Sequence, residues 1–270
     1  MRIDSLRLVY FSPTGTTRKI VEGIGRGIRH VPVDRLDITK PENRQEPLET
    51  SEGELLIVGV PVYFGRVQSS AMEWLSTIKG RNTLAVCVAV YGNREYDDAL
   101  LELKETLARA GCIPIAGAAY IGEHSFSSPE TPIAAGRPDS TDLLHAESFG
   151  EEIVKRVASV SSIGQFGDVA VPGQHPYIEM SDNRQKLSGV DLVSVDGNCV
   201  RCRKCSQLCP VGAISFDDYS AVDRNKCILC HACIKYCPAK ARHAKSELIH
   251  GIAVRLSGAL QGRKEPALFL

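Results

Sequence analysis

Residues 6–20, LRLVYFSPTGTTRKI, decide how the N-terminal part of the chain folds. The apolar run 6–12 passes through Ser12-Pro13-Thr14-Gly15-Thr16-Thr17 into a helical pattern, with Ile20, Ile24 and Ile28 on one face. A strand that hands over to a helix through such a turn leaves the free N–H groups of the first helical turn pointing at whatever lies ahead, a ready anion site. No Walker-type Lys follows and G-x-G-x-x-G is absent from the turn, so it is no NTP or dinucleotide cradle. Hydroxyls and amides alone suit a phosphate monoester. A helix cap rich in Ser and Thr would look the same in sequence, and both readings stand at this point.

Outward from this turn, strands and helices alternate. VPVDRLDIT (31–39) has the pattern of a short, partly exposed strand, and residues 41–54 that of a loop. ELLIVGVPVY (54–63) and NTLAVCVAVYG (82–92) are nearly unbroken apolar runs, as in a parallel sheet covered on both faces. SSAMEWLSTIKG (69–80) between them suits a short helix. YDDALLELKETLARAG (96–111) is a clear helix, with Asp97 and Asp98 placed for its first turn and Gly111 as its stop. CIPIAGAAYIG (112–122) is a further strand and residues 141–160 a closing helix. The expected class is α/β, a doubly wound parallel sheet of five strands over residues 1–160. Residues 161–190 lose all periodicity and are expected to form a linker or wrap-around arm. Residues 246–270 hold a C-terminal helix, with Ser246 as N-cap, and a tail.

Eight of the ten cysteines fall between 199 and 237, and Cys87 and Cys112 sit apart inside expected strands, as buried inert thiols. Displaced by 28 residues the array repeats: Cys199-x2-Cys202-x2-Cys205-x3-Cys209-Pro210 returns as Cys227-x2-Cys230-x2-Cys233-x3-Cys237-Pro238. This is the spacing of bacterial two-cluster ferredoxins, in which the Cys before Pro serves the other cluster. It assigns Cys199, Cys202, Cys205 and Cys237 to one [4Fe–4S] cube, and Cys227, Cys230, Cys233 and Cys209 to a second. Zinc is the competing reading, but it prefers two separated C-x2-4-C pairs and fits three evenly stepped cysteines poorly. Residues 191–245, read as a small α+β domain, carry nine Lys/Arg against five Asp/Glu, an excess that offsets cluster charge or is ordinary surface scatter.

Over 270 residues, 32 Lys plus Arg balance 32 Asp plus Glu. A neutral chain has no overall electrostatic grip on nucleic acid or anionic membrane. Its longest apolar runs, 55–65 and 112–122, fall short of the roughly 18–20 residues of a membrane span. Asp4 and Arg7 break any signal-peptide pattern, so a soluble, cytoplasmic protein is expected.

Residues 1–160 resemble flavodoxins, in which a Ser/Thr-rich first loop holds the FMN phosphate and two later loops at strand ends flank the ring. The resemblance implies that Ser12, Thr14, Gly15, Thr16 and Thr17 hold phosphate. It further implies that Pro61, Val62, Tyr63, Phe64 and Gly65, together with Tyr91, Gly92, Asn93, Arg94 and Tyr96, wall the flavin. Aromatics to stack and glycines for close backbone approach are what such walls need. The whole chain is similar to flavodoxin–ferredoxin fusion proteins. GEHSFSSPE (122–130) and AAGRPD (134–139) share that likeness, which brings His124 and Ser125 towards the cofactor, although a structural role for His124 competes.

FMN exchanges one or two electrons and each cube one, so the expected function is electron transfer between two [4Fe–4S] clusters and FMN. The expected partner is a soluble redox protein or an oxidoreductase that reduces ferredoxins, and the arm leaves a homodimer open. The alternative is an FMN-dependent reductase of a small organic substrate, distinguished by a closed pocket over the ring. A redox sensor is a third reading, which nothing in the chain asks for. Asp97/Asp98 and Asp217/Asp218 are expected in capping or turn roles. His231 is read either as facing the second cluster or as a solvent-facing filler. Gly65 is expected to let its peptide turn towards flavin N5.

Overall fold

The structure, a computed structural model, describes residues 1–179 and 193–270; the end of the expected arm, 180–190, lies outside the described residues. Its sheet runs through β1 (Ser5–Tyr10), β2 (Val33–Asp37), β3 (Glu54–Tyr63), β5 (Thr83–Tyr91) and β6 (Cys112–Ile121), all parallel, in the order β2-β1-β3-β5-β6. This is the flavodoxin-like 2-1-3-4-5 order, which puts a switch point between β1 and β3, at the strand ends where α/β folds bind ligands. The middle strands β3 and β5 are buried along almost their whole length, as their unbroken apolar runs require.

The helices cover both faces. α1 (Thr16–Gly27) and α4 (Ser140–Ser159) pack on one side around Ile20, Val86 and Phe149; α2 (Ser69–Leu75) and α3 (Ala99–Arg109) cover the other around Leu56, Trp74 and Leu100. Gly23 and Gly27 of α1, weak helix formers by propensity, face α4 at close range, while Gly25 faces Leu8 of β1. A Cβ on Gly27 would stand 2.0 Å from the Glu147 carbonyl.

The sheet is larger than the five strands expected. β4 (Arg66–Val67) folds back on β3, and β9 (Ala267–Phe269) from the C-terminal tail adds an antiparallel strand beside β6. Two- and three-residue strands show no periodicity in sequence.

The arm wraps α3. Lys104 donates to Asp168 and to the Val169 carbonyl, Tyr177 donates to Glu105, and Arg66, paired with Glu102, lies over the Tyr177 ring at 4.6 Å. Asp98 does not cap α3 as expected: its carboxylate accepts the Gln174 and Ile178 amides and ties the arm down. Asp97 lies outside the helix at φ 42, paired with Arg94.

The C-terminal lobe pairs β7 (Val193–Val195) with β8 (Arg242–Ala244) and holds two single-turn helices, α5 (Lys204–Gln207) and α6 (Ala232–Lys235). α7 (Glu247–Ala259) follows, its Ser246 side chain accepting the Ile249 amide. The tail then returns to the first lobe. Asn93 donates to the Leu260 and Gly262 carbonyls, Arg137 to the Lys264 carbonyl, and Arg263 pairs with Asp139. Among the described residues no helix is long and apolar enough to cross a membrane.

Candidate functional site

A cleft of about 380 Å³ opens at the C-terminal ends of β1, β3, β5 and β6. Thr14, Thr16 and Thr17 line its β1 end, Pro61, Val62, Tyr63, Phe64 and Gly65 the loop after β3, and Tyr91, Gly92 and Arg94 the loop after β5. Four expected site residues do not line it. Ser12 and Gly15 border a neighbouring crevice; the Ser12 hydroxyl accepts the Arg18 amide, and Gly15 precedes α1 at φ 81. Asn93 is turned to the tail carbonyls, and Tyr96 packs on Tyr91 with ring centroids 5.3 Å apart.

The other walls come from segments outside the three loops expected to hold the cofactor. Gly122, Glu123, His124, Ser125 and Phe126 form one side, Ile178 of the arm another, and Ile228, Leu229, Ile252 and Arg255 a roof from the C-terminal lobe and α7. His124 and Ser125 therefore do reach the cleft. A Cβ on Gly92 would stand 2.3 Å from the His124 ring, so only glycine permits this packing. Lys235 donates to Glu123 at 2.7 Å and to the His124 carbonyl at 2.9 Å, fastening the C-terminal lobe beside the cleft.

Electrostatics follow burial. Desolvation holds His124 down at about 4, with Lys235 and Arg94 adding to the effect, so its ring is neutral at physiological pH. Burial likewise pushes the Tyr63 phenol well up and Tyr91 up to about 12, leaving both as neutral groups against the cleft. Among the described residues Thr17 Oγ1 is buried and finds no hydrogen-bond partner. With the amides of the turn beside it, this unmet donor fits the phosphate of FMN, and the Tyr63, Phe64 and Tyr91 rings fit its flavin.

The eight clustered cysteines surround two small cavities. Cys199, Cys202, Cys205 and Cys237 line one, with Tyr219 and Arg242; Cys209, Cys227, Cys230 and Cys233 line the other, with His231 and Ile228. The repeat persists in the backbone. The Ala213 amide donates to Cys209 Sγ at 3.1 Å and, 28 residues on, the Ala241 amide donates to Cys237 Sγ at 3.3 Å. Such N–H···S bonds stabilise thiolate ligands.

Two unmet polar groups lie here. Among the described residues Arg242 Nη1 is buried and finds no hydrogen-bond partner, while Nη2 holds the Tyr219 carbonyl, and His231 Nε2 is likewise buried without one. His231 is buried, not a solvent-facing filler. A buried guanidinium edging a cavity ringed by sulfur fits an anionic cube. Among the described residues no three Cys, His, Asp or Glu are arranged to hold a single metal ion, whereas a cube takes its ligands at four separated corners.

The two sites share a wall. Ile228 lines both the second cysteine cavity and the cleft. Beside it the rings of His231, Phe126 and His124 follow one another at 4.9 and 5.1 Å between centroids. Cys87 and Cys112 lie in the sheet core as free thiols, both pushed up by burial, Cys112 to about 11. Asp218 organises an exposed turn through Ser220, as expected.

Residues 198–241 match the family described as the 4Fe-4S dicluster domain. No curated protein matches the chain. Among solved structures it is similar to a flavodoxin from the domain Archaea, at 18% identity over 57% of this chain and 99% of that one (TM-score 0.42). It is also similar to the flavodoxin of Streptococcus pneumoniae TIGR4, at 17% identity over 57% and 99% (TM-score 0.40). By its own strand order and its cysteine domain, the chain joins a flavodoxin-like fold to a 4Fe-4S dicluster domain, the arrangement of a flavodoxin–ferredoxin fusion.

Proposed function

We propose that this chain passes single electrons between two [4Fe–4S] clusters and an FMN held in the cleft. The observation that carries the reading is the shared wall: Ile228 faces both the second cysteine cavity and the cleft. In this reading Cys199, Cys202, Cys205 and Cys237 hold one cube, and Cys209, Cys227, Cys230 and Cys233 hold the cube nearer the flavin. Thr14, Thr16 and Thr17 face the phosphate of FMN. When bound, FMN supplies exchange of one or two electrons where each cube supplies one.

The chain's own residues place and insulate these centres. Tyr63, Phe64 and Tyr91 offer ring faces, neutral His124 adds no charge, and the buried Ile228 and Leu229 keep water from the lobe junction. Arg242 lends positive charge to the first cysteine cavity, which raises the affinity of that site for an electron.

One observation favours the reductase alternative. α7 roofs part of the cleft and brings Arg255 to it, so the cleft is not the shallow, open edge expected of a carrier. Arg255 could grip an anionic substrate.

Anaerobic purification with iron, sulfide and FMN quantified, followed by a redox titration read by visible and EPR spectra, tests the main reading. About eight iron atoms and one FMN per chain are expected. Zinc in place of iron, or a protein that takes up no flavin, overturns it. Turnover of an anionic acceptor that Arg255→Ala abolishes, with the cofactor content unchanged, would decide for the reductase.

A further inference from the structure

The 28-residue repeat allows the two cysteine turns to be compared position by position. Val200, Arg201, Cys202, Arg203 and Lys204 correspond to Ile228, Leu229, Cys230, His231 and Ala232. Their backbones agree: φ is 55 and 58 at Arg201 and Arg203, and 58 and 55 at Leu229 and His231. Each turn leads into a single-turn helix. Their surroundings are opposite. All five residues of the second turn are buried, at the lobe junction beside the cleft, and all five of the first are exposed. Val200 is 67% exposed where its counterpart Ile228 is 7% exposed.

The second turn thus shows what this face of the repeat does when covered: it seats one redox centre against another lobe. The first turn presents the same face uncovered, with Arg201, Arg203 and Lys204 in place of Leu, His and Ala. Among the described residues none of these three cations forms an ion pair, and the ligand Cys202 is itself exposed between them. An apolar centre rimmed by unpaired cations fits a protein surface of opposite charge. Three charges are few for a nucleic-acid grip, which neutralises roughly six to ten phosphates.

We propose that the Cys199–Cys205 turn is the docking seat of an acidic one-electron carrier protein, which exchanges electrons with the first cluster. The inference rests on the electron-transfer reading above and names its partner. In each event the reduced carrier loses one electron and the cluster gains it; no bond forms or breaks and no proton moves.

The test uses the full holoprotein and a strongly acidic plant-type [2Fe–2S] ferredoxin as probe. Calorimetry measures association of the oxidised probe, without turnover, and stopped-flow absorbance measures cluster reduction by the reduced probe. The pair Arg201→Glu and Arg203→Glu is expected to weaken association and slow reduction about tenfold, and raised salt to do the same to the unaltered protein, which needs no variant to fold. Lys155→Glu on α4 is expected to change neither. Photoreduced 5-deazariboflavin, small and uncharged, is expected to reduce the clusters of every variant alike. Association that ignores both salt and charge reversal, while 5-deazariboflavin still reduces the clusters, overturns the seat and leaves the electron-transfer reading standing. Charge reversal that instead abolishes self-association, or binding of single-stranded DNA, assigns the face to a second copy or to nucleic acid and overturns the seat as well. Clusters that 5-deazariboflavin cannot reduce in iron-replete protein overturn the reading itself.

Discussion

The buried carboxylate of Asp98 holds Ile178 at the cleft: Oδ2 accepts the Ile178 amide at 2.7 Å while Oδ1 accepts the Gln174 amide at 2.9 Å. One residue at the start of α3 thereby fixes a segment eighty positions later and makes it part of the wall of the cleft. Hydrogen bonds to a charged acceptor contribute about 1.5–3 kcal/mol each. Asp98→Ala is expected to lower stability in urea unfolding by about 3 kcal/mol and to open the arm to proteases within 170–179. Asp98→Asn, which keeps one acceptor oxygen, is expected to lose less. Equal stability and protease resistance for all three proteins would show that the arm is held by its other contacts.

Asp98 also marks where sequence reading reached its limit. The strands β3, β5 and β6 were legible because buried parallel strands are apolar on both faces, and the turn from β1 to α1 because its hydroxyls and glycine have a local purpose. The partner of Asp98 is an aperiodic segment with no pattern of its own, and an acidic residue just ahead of a helix looks like a cap whatever it binds. Asn93 and Tyr96 show a related limit. A loop's position after a strand is readable, but which way each side chain faces depends on the tail, which draws Asn93 to Leu260 and Gly262. The roof residues Ile228 and Leu229 sit in the cysteine motif, and that they also face the cleft is a fact of lobe packing.

His124 makes stability depend on pH. Its folded value of about 4 lies below its ordinary 6.5, so the unfolded chain binds the proton more readily. The neutral ring's contribution is complete above pH ~6.5 and is lost as pH falls from there towards 4. In urea unfolding the unaltered protein is expected to lose up to about 3 kcal/mol more across that window than His124→Phe does. Parallel pH profiles for the two proteins would remove His124 as the cause.

Gly65 has φ 82, and its carbonyl accepts the Asp98 amide at 3.1 Å. A Cβ there would stand 2.5 Å from Asp97 Oδ2. Gly65→Ala is therefore expected to cost about 1–2 kcal/mol, from the left-handed backbone and the displaced Asp97. In our reading this peptide borders the flavin, so the same substitution is expected to shift the flavin's one-electron potential in an anaerobic titration. A loss of stability with an unchanged potential would confine Gly65 to a structural role.

The division of cysteines between the two cavities can be tested by pairs of substitutions. Each cavity draws three sulfurs from its own motif and the fourth from the other, Cys237 for the first and Cys209 for the second. If the cubes are held this way, Cys202→Ser with Cys237→Ser strikes one cluster twice and is expected to leave about four iron atoms and four sulfides per chain. Cys202→Ser with Cys209→Ser strikes both clusters and is expected to disturb both sets of EPR signals. Uncrossed ligation predicts the reverse pattern, since Cys202 and Cys209 belong to one motif and Cys237 to the other. Serine can substitute as an oxygen ligand, so the matching alanine pairs serve as a second series, and iron, sulfide and EPR counts together identify which cube each pair removes. FMN content is expected to hold in every variant whose damage stays at the first cavity, because the wall of the cleft is made by the second cysteine turn through Ile228 and Leu229. Loss of flavin on damage to the first cavity alone would mean that this cavity also supports the cleft, through Tyr236 beside Cys237, whose hydroxyl donates to the Thr14 carbonyl.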